Sequence, residues 1–151
     1  MTRRAAAIAA VLVLAACGSD DDGDDGGAGA IEVTDAWART TPVGATTGAV
    51  YLTIESDAAG AVQGVTVDPS IAAAAELHMS MDNADGTSMM HPLSEVPLPA
   101  ADPVSFAPKG NHVMLVDLAA PLAAGATFDA ILHFATAPDQ VVTVTVSDDA
   151  P

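Results

Sequence analysis

Histidine and methionine crowd one short stretch of this chain. Three of its four histidines lie between residues 78 and 112, and all five methionines after the initiator lie between 79 and 114. Imidazole is a borderline ligand and thioether a soft one, and the pairing suits copper, above all Cu(I). A single methionine is as readily explained as a filler of irregular core gaps. Five of them interleaved with histidines are harder to explain that way, because packing alone gives no reason for imidazoles in the same run.

The spacing adds a second argument. His78 is followed by Met79, ten residues separate Met79 from Met90, twenty-one separate Met90 from His112, and Met114 comes two later: H-M-x10-M-x21-H-x-M. This resembles the signature of the periplasmic copper chaperone family PCu(A)C. The resemblance runs from Asp35-Ala36-Trp37-Ala38-Arg39 through Gly48-Ala49-Val50-Tyr51-Leu52, Ala75-Glu76-Leu77-His78 and Pro121-Leu122-Ala123-Ala124-Gly125 to about Val146. It implies a cupredoxin-like Greek-key β-sandwich and copper ligands at His78, Met90, His112 and Met114. It also implies a non-enzymatic role, delivering Cu(I) to the dinuclear copper centre of cytochrome c oxidase subunit II.

Other donors stand nearby. Met79, Met81 and Met89 are candidate auxiliary ligands, although Met79 should point opposite to His78 if the strand continues through it. Met81, Met89 and His91 are spare donors for a second copper or a transfer path, or they only pack. His91 precedes Pro92 and reads as a solvated turn residue, and His133 as a hydrogen-bonded structural histidine away from the site. The one cysteine, Cys17, excludes an internal disulfide, and without a cysteine near the histidines there is no His2Cys blue-copper centre. Thioethers suit an oxidising compartment, where paired thiols would close into a disulfide. Catalytic motifs are missing too: the chain has no G-x-S-x-G and no H-E-x-x-H. Two rivals to copper delivery stay open. One is copper sequestration or resistance without an oxidase client, and the other a non-metal interaction module whose methionines are core.

The start of the chain reads as an address. Arg3 and Arg4 precede a twelve-residue apolar run, Ala5 to Ala16, too short to span a bilayer but fitting the hydrophobic region of a signal peptide. It ends in Leu14-Ala15-Ala16-Cys17, which resembles the bacterial lipobox. Residues 1–16 are therefore expected to be a lipoprotein signal peptide, and Cys17 the lipidated residue anchoring the protein outside the cytoplasm on the bacterial cell membrane. Residues 17–30 follow as an acidic linker. Gly18 to Ala30 holds five aspartates, five glycines and no bulky apolar side chain, a composition that cannot offset its ordering entropy. Thirteen such residues span roughly 20 Å.

Charge narrows the partners. The chain carries a net −16, and without residues 1–16 only Arg39 and Lys109 face 20 acids, giving −18. Nucleic acids need lysine and arginine to replace their counterions, so no nucleic-acid partner is expected.

The donors must be positioned by strands. Apolar residues alternate along Ile31 to Trp37, placing Ile31, Val33, Asp35 and Trp37 on one side with Trp37 as a core anchor. Alternation continues in Ala49–Ile54, Val62–Val67, Val104–Phe106, His112–Leu118, Thr127–Ala135 and Val141–Val146. Ile71–Ala75 fits a helical turn or, by resemblance, the start of a strand over Ala74–Met79. Asp82–Gly86 reads as a hairpin turn that would return Met90 to meet His78. His112 and Met114, two apart in a strand, share a face. Many short strands with Gly, Pro and Asp punctuation argue one all-β domain over residues 31–151. Cys17→Ala is expected to abolish lipidation and release the protein from membranes, checked by mass spectrometry and fractionation. Two acyl chains hold a protein on a bilayer where one does not.

Overall fold

The computed structural model describes residues 29–151; the signal-peptide region, Cys17 and most of the acidic linker lie outside the described residues. Ten strands follow in order: β1 (Ile31–Arg39), β2 (Thr47–Ser56), β3 (Gly60–Val67), β4 (Ala72–Asp82), β5 (Ser88–Pro92), β6 (Val96–Leu98), β7 (Val104–Phe106), β8 (Asn111–Leu118), β9 (Thr127–Phe134) and β10 (Gln140–Ser147). No helix occurs among the described residues. The hydrogen-bonded order is β5-β4-β8-β7-β2-β1-β10-β9-β3-β6, and β8 also pairs directly with β2. The β1–β10 pair and the single β7–β8 bridge are parallel; the other pairs are antiparallel.

The ladder folds back on itself so that both halves bury one core. Val62 and Val65 of β3, Leu132 of β9 and Val144 of β10 belong to it, with Leu77 of β4, Val113 and Leu115 of β8 and Val50 and Ile54 of β2. Aromatic residues are scarce, so branched aliphatics fill it, and these suit the pleated surface for the same reason that they favour strands. No methionine belongs to this core, and none is among the part-buried residues packed on it. Methionine as gap-filler, the ordinary explanation, is not what this structure uses.

Trp37 departs from its expected place. β1 pairs Val33 with Ile54 and Thr34 with Thr53, then shifts register so that Trp37 meets Tyr51 and Ala38 meets Val50. The shift is a bulge at Asp35, whose φ of 53° is left-handed. A bulge adds one residue to one strand, and in a period-two element one residue reverses the inward face. Ala38 therefore enters the core, while Trp37 is buried on the outer face against Tyr51, with ring centroids 4.8 Å apart.

Three further differences concern the site. Ile71–Ala75 is not a helical turn: β4 starts at Ala72 and continues through Met79 to Asp82, so His78 lies inside a strand rather than at its end. β5 is a full strand, and His91 lies in it rather than in a turn. β6, unforeseen, pairs Val96 with Val62 and Leu98 with Gly60. The hairpin between β4 and β5 turns at Asn83–Thr87. Gly86 has φ of 83°, a conformation that glycine takes without strain. The Asp85 carboxylate accepts both the backbone N–H (3.0 Å) and the hydroxyl (2.6 Å) of Thr87, and these bonds lower its pKa. Leu132→Ala, in the β9 core at 1% exposure, is expected to lower stability by about 2–5 kcal/mol, measured by denaturant unfolding.

Candidate metal centre

Antiparallel partners directly opposite one another put their side chains on the same face. β4 pairs Glu76 with Met114 and His78 with His112 on β8. On its other side it pairs His78 with Pro92 and Ser80 with Met90 on β5. His78, Met90, His112 and Met114 thus share one face of three adjacent strands. This is the outer face, because the residues alternating with them, Leu77, Val113 and Leu115, are the ones in the core. Met90 returns across the hairpin as expected, but opposite Ser80, one step along from His78.

The two histidines are the buried part of this group. His112 is 4% exposed and His78 9%, although they face away from the core, while Met90 is 59% exposed and Met114 is half-buried. His112 is the second residue of β8, yet it is buried rather than exposed at the strand end. The imidazole centroids lie 6.0 Å apart, with the rings tilted by 37°. A first-row metal sits about 2 Å from an imidazole nitrogen, hence roughly 3 Å from the ring centre. A separation of 6.0 Å matches two rings whose free nitrogens face one ion between them.

Hydrogen bonds decide which nitrogen each ring offers. His112 Nδ1–H donates to the Gly110 carbonyl at 3.1 Å, leaving Nε2 as the lone-pair nitrogen. The same carbonyl accepts the Ser80 N–H at 3.0 Å, so one backbone oxygen fixes both the end of β4 and the His112 ring. His78 does the reverse: Nε2–H donates to the Glu76 carboxylate at 2.9 Å, which leaves Nδ1. That Nδ1 is buried and has no hydrogen-bond partner among the described residues. A buried polar atom so placed costs on the order of 1–3 kcal/mol, and an ion bound there would remove the cost. Carboxylates that fix the tautomer of a metal-binding imidazole are a recurrent arrangement. Glu76 was not among the expected site residues. Its signal was the Glu-x-His spacing, which puts residues 76 and 78 on one face of one strand.

A cleft of about 240 Å³ opens over the group, lined by Met90, His112 and Met114 together with Arg39, Thr41 and Thr47. His78 does not line it. Arg39, with Lys109 one of the two lysines and arginines after residue 16, lies near enough to Tyr51 for its charge to be felt there. Burial raises the pKa of that phenol, and the guanidinium charge pulls it partly back. The remaining donors fall elsewhere. Met79, Met81, Met89 and His91 alternate with the first set and lie on the opposite face of the β4–β5 hairpin. His133, on β9, is satisfied by Asp139 at Nδ1 (2.8 Å) and Thr66 at Nε2 (2.7 Å), the structural role expected of it.

Fold and site together define a cupredoxin-like β-sandwich of the PCuAC type, with imidazoles and thioethers gathered on one outer face. The chain belongs to the LpqE-like family, whose model, described as "Putative lipoprotein LpqE-like", matches residues 31–146. A relative in Leifsonia xyli subsp. xyli, named "Putative lipoprotein Lxx21020", is 29% identical over 121 residues, which make up 80% of this chain and 72% of that protein. Among solved structures, the apo PCuAC domain from PmoF1 superposes with a TM-score of 0.65 at 25% identity, over 83% of this chain and 98% of that one. The copper-bound PCuAC domain from PmoF2 gives 0.64 at 24%, over 83% and 97%. CuI-DR1885 from Deinococcus radiodurans gives 0.56 at 21%, over 81% and 79%.

The Glu76 contact generates a prediction that needs no metal. In the apo protein the His78 ring nitrogens are expected to show a single tautomer with the proton on Nε2, read by ¹⁵N NMR. Glu76→Ala should give a mixture of both tautomers and leave His112 unchanged.

Proposed function

We propose that this protein is an extracytoplasmic Cu(I)-binding chaperone whose cargo is held by His78, Met90, His112 and Met114. One observation carries the reading. None of the methionines among the described residues belongs to the core, and two of them share an outer face with two buried imidazoles in direct cross-strand register. Likeness to a copper-bound PCuAC domain and to a Cu(I)-bound protein supports the choice of metal. His78 offers Nδ1 and His112 offers Nε2, each locked in place by a hydrogen bond at its other nitrogen. Met114 closes the set from β8, and Met90 from the exposed hairpin. Two thioethers make the site softer than Cu(II) prefers, while Glu76 is committed to His78.

Membership of a lipoprotein family supports attachment through Cys17. No helix among the described residues is long and apolar enough to cross a membrane. Residues 1–16 act as the signal peptide, residues 17–30 as the tether, and residues 31–151 as the copper-binding domain. Cargo passes to a copper-accepting protein, the dinuclear copper centre of cytochrome c oxidase subunit II. A deletion strain should lose that centre under copper limitation; an intact oxidase would leave sequestration as the role.

The deciding measurement is oxidation-state selectivity. Met114→Ala should weaken Cu(I) binding much more than Cu(II) binding, and His112→Ala should weaken both, in competition titrations. Met114 lies outside the core, so its truncation should cost well under the roughly 2–5 kcal/mol of a core methionine. A variant that melts early but keeps full Cu(I) affinity would remove Met114 from the site.

A further inference from the structure

The β4–β5 hairpin carries donors on both of its faces. Its even-numbered positions contribute His78 and Met90 to the site described above. Its odd-numbered positions pair Met79 with His91 and Met81 with Met89, in consecutive register. Directly opposed residues have Cβ atoms about 4.5–5.5 Å apart, and neighbours two along a strand are about 6.6–6.8 Å apart. Three thioethers and one imidazole therefore form a two-by-two patch on one side of a two-stranded ribbon.

Neither packing nor strand preference explains this patch. Met81 is 50% and Met89 49% exposed, and neither belongs to the core. Methionine is not among the residues enriched in strands, and exposing apolar surface forgoes about 25 cal/mol for every Å² left in water. The interleaved imidazole is also unlike a purely apolar docking strip. His91 has neither a hydrogen-bond nor an ion-pair partner among the described residues, unlike His78, His112 and His133.

The geometry points to a second Cu(I) site, formed by Met79, Met81, Met89 and His91, on the face of the hairpin opposite the first. Methionine has three rotatable bonds and a polarizable sulfur, so three of them can converge on one ion without moving the backbone. The set is softer than the first one, with three sulfurs instead of two. The nearby carboxylates are engaged elsewhere: Asp82 accepts from Ser88, and Asp85 from Thr87. Selectivity for Cu(I) over Cu(II) should accordingly exceed that of the first site. The strand ladder separates the two donor sets, so one ion cannot satisfy both. Because the sets share no residue, each can fail without the other.

The test is Cu(I) stoichiometry of the full chain, by anaerobic competition with a chromogenic chelator. Wild type is expected to bind two equivalents. Met81→Leu with Met89→Leu, which nearly conserves volume, should bind one, and His112→Ala with Met114→Ala should also bind one. The four substitutions together should bind none. Met81→Leu alone should weaken the second equivalent by about tenfold or more, since losing even a supporting partner of a metal ligand costs that much. If the Met81/Met89 double variant takes up as many equivalents as wild type with unchanged affinity, the inference is overturned, and the patch is a docking surface. If that variant loses all Cu(I) while the His112/Met114 variant binds normally, the second site stands and the first falls. A double variant with a disordered hairpin would lose both equivalents. Silver(I) titration of the unaltered protein then decides: the Met81 and Met89 methyl resonances must shift with the metal, and methyls that stay still refute the site.

Discussion

The register between β4 and β8 is the constraint on which everything else here depends. Opposing His78 to His112 sets the imidazole separation, puts Met114 beside Glu76, and turns Leu77 and Val113 into the core. A slip of one residue would carry the histidines inward and expose the leucine and valine, so burial of one face enforces the chemistry of the other. The Gly110 carbonyl reinforces this, accepting from Ser80 and from the His112 ring together. Pairing β4 with β8 brings His78, His112 and Met114 together, and the β4–β5 hairpin adds Met90.

The division of labour between the faces explains the composition. Branched aliphatics and a few aromatics supply the core, which leaves the methionines among the described residues free for other work. Putting metal-capable groups on the outer face keeps copper away from the packed interior, where an unsatisfied site would leave costly voids and orphaned polar atoms. Among the side chains of the described residues, only His78 Nδ1 is a buried polar atom without a partner. It lies where an ion would supply one.

Much of this was legible in the sequence, and the exceptions have physical causes. Period-two alternation marked most strands, and the His-x-Met spacing put His112 and Met114 on one face. The side of Trp37 was not legible, because one bulged residue at Asp35 reverses alternation and leaves no mark in hydropathy. β4 ran three residues past its expected end because Ser80, Met81 and Asp82 look like a turn alone and become strand only through pairing with β5. β6 escaped notice because three residues hold no readable period. The Glu-x-His spacing puts Glu76 on the face of His78, but which ring nitrogen the carboxylate holds is a property of the hydrogen bond and not of the spacing.

One asymmetry within the site has a kinetic meaning. The imidazoles are buried and held by hydrogen bonds, whereas Met90 stands 59% exposed on a hairpin. An ion bound there would have a fixed side and a yielding side. A recipient that approaches over the sulfurs would displace them one at a time, coordinate the ion while the histidines still hold it, and take it as they let go. Exchange by stepwise ligand substitution never frees the ion into solution. It lets a tight equilibrium hold coexist with rapid handover.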